Sequence, residues 1–403
     1  MSPSVSPFQL AELMVPALFI FVTGFILTLA ATRSVMLSMF LPLIKAVVYV
    51  VYYVALFDGT WTFLDDWSYL ERGRSLLNHG VGIANFSVHL PLLFSTAGGK
   101  HFFYYLFNAD AMRLFGYAYY APVAVNVALT FLAAGLMAGA AKTGLNFSRS
   151  LAAGLFASIV LYPDVVAWST IVNGKDTVVM AGTSMAVYVV SLAESGRYRR
   201  ALSLALFLGL VLLFTRFYTP LMMLVALGLA LMLSSSGRRR SWLWLLVVTG
   251  GGAVLGVLGT RMLGSAFNLL LQDWVNPSYG IVRYLLTPIP FHTTEAYSFL
   301  DLPQVVYWGL VPFLIYGVYR VWQRRTLTAR FIVIYFLLTV ALYGVFGELQ
   351  GPRHRYQLDG LIVLFQFLGF LGVFRQLGIG RRAHKSLVDN VRPSMVPPTK
   401  RLS

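Results

Sequence analysis

The chain is built as a succession of long apolar runs separated by short polar or basic segments. Runs of roughly 18 residues or more recur, each long enough to cross a hydrocarbon core of about 30 Å as an α-helix. About eleven spans are predicted by run length, near 13–31, 35–57, 118–141, 151–170, 175–193, 201–215, 218–235, 241–264, 303–322, 329–348 and 356–378. Those near 151–170, 201–215 and 218–235 are the weakest, being short or interrupted by polar residues. The runs are continuous and do not alternate, so the pattern predicts an all-α polytopic membrane protein and not a barrel.

Two segments between spans are long enough to hold structure of their own, 58–117 and 265–302. The first carries a helix-like stretch from Trp67 to Leu77 and an aromatic block, His101 to Phe107, that suits a helix lying in the membrane interface. The second contains Trp274, Pro277, Pro288, Pro290 and Phe291, which favour an irregular loop against the membrane. Residues 1–380 read as one transmembrane domain. Residues 381–403 read as a basic, Pro-containing cytoplasmic tail, disordered and in contact with acidic lipids.

Composition agrees, with 58% hydrophobic residues, 11% charged residues and a mean hydropathy of +0.72. The net charge of +16 would indicate nucleic acid in a soluble protein. Here the basic residues punctuate apolar runs, so they point to topology and membrane lipids as partners, with no nucleic acid. Arg33, Lys142, Arg149, Arg197, the triplet Arg238-Arg239-Arg240, Arg320, Arg324 and the tail all fall on one side, which the positive-inside rule makes cytoplasmic. Nearly all the acids fall on the other. The chain has no Cys, which removes disulfides, thiolate metal sites and cysteine nucleophiles. Met1 to Glu12 contains no Lys or Arg, so the first run reads as a permanent span and not as a signal peptide.

Against that background the pair Asp65-Asp66 stands out. A carboxylate at the mouth of a membrane cavity can act as a general base toward an acceptor hydroxyl, and its neighbour can raise its pKa or share a cation with it. The simpler role is a cap for the helix that starts near Trp67. Both hold if one Asp caps and the other faces the cavity.

Three basic segments on the same side suit a phosphate. Tyr162-Pro163-Asp164 through Trp168-Ser169-Thr170 to Asn173-Gly174-Lys175-Asp176 forms a predicted turn between spans, where Lys175 meets a helix N-terminus; a loop charge pair with Asp176 as a cap explains it equally well. Arg216, between two apolar runs, is either a bidentate phosphate ligand or a snorkelling anchor. Gly351-Pro352-Arg353-His354-Arg355-Tyr356 opens the last predicted span and places two Arg on the face that otherwise excludes positive charge. An anionic ligand accounts for it best, with Arg355 the stronger choice and His354 the weaker. His79, His89, His101 and His292 are scattered and make no metal-binding spacing. No phosphate-cradling glycine loop, nucleophile elbow or zinc-binding helix motif occurs.

These blocks resemble the GT-C superfamily of polytopic glycosyltransferases that use polyprenyl-phosphate sugars. Members carry an acidic motif in the first long outer loop, matched here by Asp65-Asp66. The segment from Tyr162-Pro163 to Lys175-Asp176, the segment Tyr284 to Phe291, and Arg353-His354-Arg355-Tyr356 resemble blocks of bacterial members that assemble cell-surface polysaccharides. The resemblance runs from about Phe57 to Phe370 and implies an inverting transfer with Asp65 or Asp66 as base and Lys175, Arg216 and Arg355 on the donor phosphate. It leaves a divalent cation, Mg or Mn, open as a cofactor on the two Asp. The extra span before the one leading into Asp65 departs from the usual arrangement, and no large soluble C-terminal domain follows. The expected partners are a polyprenyl-phosphate-linked sugar and a glycan, lipid or protein acceptor, at the outer face of a bacterial inner membrane. Two alternatives are a polymerase or ligase using a polyprenyl-diphosphate-linked glycan, which would lean more on Arg, and a transporter or flippase for lipid-linked sugars.

Overall fold

A computed structural model describes residues 7–97, 101–233, 276–346 and 351–377. The predicted span near 241–264 and the tail 381–403 lie outside the described residues, as does the first part of the 265–302 segment. The described residues are helical throughout and form no β-strand. In chain order the helices are α1 (Leu10–Thr32), α2 (Val35–Val51, continued by a π turn over Tyr52–Leu56), α3 (Leu64–Asn78), α4 (Leu90–Ala97), α5 (Phe102–Phe115), α6 (Tyr120–Gly144), α7 (Arg149–Val160), α8 (Pro163–Ile171), α9 (Asp176–Glu194), α10 (Tyr198–Leu213), α11 (Tyr218–Leu233), α12 (Pro277–Leu286), α13 (Asp301–Trp322), α14 (Leu327–Val345), α15 (Pro352–Tyr356) and α16 (Asp359–Gln376).

Seven of these helices are long and apolar enough to cross a membrane, and an eighth span results if α7 and α8, bent by 47°, are counted as one. The protein is therefore a polytopic helical membrane protein. The expected count of eleven is not reached among the described residues. Helices α10 and α11 have 16 residues each, which at 1.5 Å per residue falls short of a hydrocarbon core of about 30 Å.

Helix α9 is the centre of the bundle. It packs against α6, α10 and α14, while α6 also carries α1, α7 and α8, and α13 pairs with α16. Small residues let these axes approach. Helix α6 is rich in Ala and Gly, and a Cβ on Gly139 would meet the Tyr188 ring at 3.1 Å. On α13 and α16 the closeness is mutual, because a Cβ on Gly317 would strike the Phe365 backbone and one on Gly369 the Phe313 backbone. Tight crossings of this kind are how helices associate where lipid tails are as apolar as the side chains. Lys45, buried on α2, donates to Ser169 Oγ at 3.0 Å and so ties α2 to α8.

The bundle has two polar ends. At one, Arg324 donates to the Leu145 carbonyl, and Glu194 accepts from the Leu327 and Thr328 amides at 2.8 and 2.9 Å. At the other, α3, α5 and the connections around residues 173, 215, 297 and 353 meet.

Three local expectations are corrected here. The turn predicted from Tyr162 to Asp176 is confined to residues 172–175; Pro163 follows a break after α7 and begins α8, so Asp164 is buried within the bundle and not on a turn. Pro277 likewise begins α12, with the Asn276 side chain accepting from the Ser278 amide. Proline suits the first helical position, where its missing N–H would have no partner. The last span starts at Asp359, after the separate short helix α15. In the 58–117 segment, α4 and its lead-in expose Val88 and Phe94, as an interfacial element would, whereas the aromatic block on α5 is buried against α3 and α6.

Candidate functional site

The two acids of the pair diverge completely. Asp66, in the first turn of α3, reaches back to accept from the Phe63 amide at 3.1 Å and from the Tyr119 hydroxyl at 2.9 Å. It is fully buried, and burial raises its pKa to about 7 despite the opposing charge of Arg353. Asp66 is the cap. Asp65 precedes it by one residue, about 100° around the helix, and its side chain is 57% exposed.

Asp65 Oδ2 lies 3.0 Å from Arg353 Nη1. The same guanidinium uses Nε to hold Asp176 Oδ2 at 2.7 Å. Arg216 holds the other oxygen, Asp176 Oδ1, at 2.8 Å through Nη2, and donates to Gln357 Oε1 at 2.8 Å through Nη1. One carboxylate at the start of α9 thus anchors two guanidiniums brought from the α10–α11 connection and from α15. Arg353 Nη2 is buried without a hydrogen-bond partner, as is Gln357 Nε2 in the same cluster, so the site holds donors that an anion could engage.

Lys175 adjoins this cluster. Its Nζ is 3.0 Å from His101 Nε2 and 5.5 Å from the centre of the Tyr69 ring. His101 Nδ1 is 2.8 Å from the Thr215 carbonyl, an acceptor only, so Nδ1 carries the proton and Nε2 accepts from Lys175. Burial and then the charge of Lys175 hold His101 neutral, with a pKa of about 4. Burial, followed by the positive charge of Arg216, also lowers the pKa of Lys175. Two carboxylates face two guanidiniums and one amine, so the cluster has no spare negative charge. An arriving anion would favour the charged form of Lys175 and meet a cationic site.

The connection that carries Lys175 is fixed from below. Asn173 donates its side-chain amide to the Asp66 carbonyl at 3.1 Å and to Asn108 Oδ1 at 2.9 Å, and accepts from the Tyr104 hydroxyl at 2.8 Å. Asn126 donates to Tyr104 at 3.0 Å. Aromatic rings wall the neighbouring surface: Phe63 stacks on Trp168 at 6.0 Å, Trp168 on Tyr356 at 5.8 Å, and Tyr297 lies 5.1 Å from Phe63.

Of the residues selected from the sequence, Asp65, Lys175, Arg216 and Arg353 come together around Asp176. Arg355 does not join them. It is fully buried, donates to Asp164 at 3.1 Å and to the carbonyls of Leu285 and Thr287 at 3.0 and 2.6 Å, and stacks on Tyr307 at 4.1 Å. Its guanidinium is thus committed to internal partners. His354 packs its ring 5.5 Å from Tyr343, and burial, followed by Arg216, lowers its pKa to about 3. Tyr356 shares a hydrogen bond with Thr177 at 3.1 Å. Sequence reasoning treated Asp176 as a cap and passed over Gln357, Tyr343 and Tyr119. Asp176 was signalled by its place beside Lys175, but single polar residues inside apolar runs gave no sign of where they would converge.

Among the described residues, no three His, Asp or Glu side chains gather closely enough to hold a metal ion. Asp65 and Asp176 are bridged by Arg353, and Asp66 is turned away from both. No protein-family model matches the chain, and no curated protein matches it.

Proposed function

We propose that this chain is an integral-membrane glycosyltransferase that moves a sugar from a polyprenyl-phosphate donor to a hydroxyl of a glycan, lipid or protein. In this reading the active centre is the end of the bundle bearing Asp65 and faces outward from a bacterial inner membrane; the basic residues at the opposite end support that orientation. The observation that carries the reading is the exposed carboxylate of Asp65, held by Arg353 at 3.0 Å beside Arg216 and Lys175. A base and a set of phosphate ligands are thereby adjacent.

In this reading the donor phosphate enters against Arg353, whose buried Nη2 has no partner, and Lys175. It competes with Asp65 for the guanidinium, and the carboxylate so released accepts the acceptor hydroxyl's proton. The acceptor oxygen bonds to the anomeric carbon as its bond to the phosphate oxygen breaks, with inversion. The polyprenyl phosphate leaves with the added negative charge, which Arg353, Arg216 and Lys175 stabilise. Asp66 takes no proton in this step; it caps α3 and fixes the direction of Asp65.

The test is transfer from radiolabelled polyprenyl-phosphate sugars by the purified protein with host membranes as acceptor. Asp65→Asn is expected to lower the rate by about 10²–10⁴-fold, the usual contribution of a general base. Full activity in both Asp65→Asn and Asp66→Asn, with loss in Arg353→Gln, overturns the base-catalysed reading. That pattern would fit the polymerase or ligase alternative, in which Arg353 and not a carboxylate is the principal polar group.

A further inference from the structure

At the end of the bundle opposite Asp65, a cavity of about 170 Å³ opens between α13, α16 and the α6–α7 connection. Arg320, Arg324 and Arg375 line it on the polar side, and Phe147, Leu151 and Leu368 on the apolar side. Among the described residues no carboxylate pairs with any of the three guanidiniums. Glu194, the described acid at this end, spends both oxygens on the first turn of α14, where it takes the Leu327 and Thr328 amides and the Thr328 hydroxyl.

Arginines near helix C-termini are favourable on their own account, because the helix dipole is negative there, and they also mark cytoplasmic ends. Those effects put Arg320 and Arg375 near the ends of α13 and α16. They do not explain why three guanidiniums from two helices and a loop converge on one cavity, when like charges repel and long side chains can spread into the headgroup layer. Burial holds the Arg324 guanidinium below its ordinary pKa, and repulsion from Arg320 and Arg375 adds to that. Arg324 is half-buried and lies 5.8 Å from the centre of the Phe147 ring, and its hydrogen bond to the Leu145 carbonyl keeps it at the cavity. Helix α7 begins here, so the positive end of its dipole points the same way.

We propose that this cavity binds the phosphate headgroup of an anionic membrane lipid, with the start of an acyl chain against Phe147, Leu151 and Leu368. The guanidiniums offer bidentate donors to the phosphate oxygens, and the volume admits a phosphate group. The site is independent of the transfer chemistry proposed for the other end.

Lipid binding to the full-length protein in neutral detergent tests this. Dioctanoyl phosphatidylglycerol, dioctanoyl phosphatidylcholine and inorganic phosphate would be titrated separately, with bound lipid read by native mass spectrometry and melting temperature by intrinsic fluorescence. The glycerol lipid is expected to bind and raise the melting temperature, and the choline lipid and free phosphate to do neither comparably. The double variant Arg320→Gln/Arg375→Gln should lose roughly tenfold or more in affinity for the glycerol lipid, from about 1 kcal/mol per basic residue. Arg199→Gln/Arg200→Gln, exposed at the same end but outside the cavity, should bind like wild type. Arg375 is exposed, so Arg375→Gln alone gives a folded variant with an intermediate loss. Equal binding by the double variant and wild type, or equal protection by the choline lipid or by free phosphate, overturns the proposal.

Discussion

Asp65 and Asp66 are chemically identical, adjacent in sequence, and unlike in every physical respect. Asp66 is buried and its pKa is raised from 3.8 to about 7, because desolvation outweighs the hydrogen bonds it accepts. The linkage has a definite sign. Between those two values the folded protein holds a proton that the unfolded chain has lost, so this residue's contribution to stability falls as pH rises through the window and is flat above it. The slope is about 1.4 kcal/mol per pH unit for one such proton. Asp66→Asn keeps the acceptor oxygen for Phe63 and Tyr119 and removes the charge. It is expected to match wild type below about pH 4, to exceed it increasingly as pH rises, and to exceed it most near pH 8 in detergent unfolding; identical pH profiles for the two proteins would refute the assignment. His101 and His354 titrate with the opposite sign in both proteins and cancel in the comparison. The pair was legible in the sequence as an anomaly. Its division of labour was not, because the choice rests on Tyr119 and Arg353, which lie 53 and 288 residues away.

At the scale of elements, two polar contacts decide how helices sit. Arg355 and Asp164 join α15 to α8 inside the bundle, both fully buried. Removing one partner strands the other charge, so Arg355→Met should destabilise by on the order of 3–5 kcal/mol. The double variant Arg355→Met/Asp164→Leu should recover much of that loss, since a well-packed apolar pair avoids desolvation altogether. A double variant as unstable as the single would mean that Arg355 acts chiefly through the Leu285 and Thr287 carbonyls. The glycine crossing of α13 and α16 is more exacting. Gly317→Ala and Gly369→Ala each place a methyl on opposing backbone, which cannot rotate away, so each should cost about 1–3 kcal/mol or more, read as lost thermal stability. Apolar run length located the seven long spans and the bent pair to within several residues, because hydrocarbon thickness dictates that signal, but it also counted α10 and α11, whose 16 residues fall short of a span. The signal at Pro163 and Pro277 was ambiguous, since a proline ends a helix and begins one with equal ease. Nothing local reveals which glycines meet a partner helix.

For the molecule as a whole, the bend between α7 and α8 determines the topology. From Arg149 to Ile171 the two helices together have the length of a span, bent by 47°. Arg149 starts near the end where Arg324 meets Leu145, and Ile171 leads directly to Asn173, bonded to α3 and α5 at the other end. The pair therefore crosses the bundle. Between residues 79 and 197 the chain then passes through α6, the bent pair and α9, an odd number of crossings, and the two positions lie on opposite faces. A re-entrant pair would make the number even and put both on one face. Because the chain contains no Cys, single cysteines report this without background, and His79 and Arg197 are both exposed. His79→Cys is expected to react with a membrane-impermeant maleimide in intact cells, and Arg197→Cys only after permeabilisation. Reaction of both from outside would show that the bent pair turns back. The reverse pattern would place Asp65 on the cytoplasmic face, out of reach of an outer-face acceptor, and the proposed transfer would have to use a cytoplasmic one.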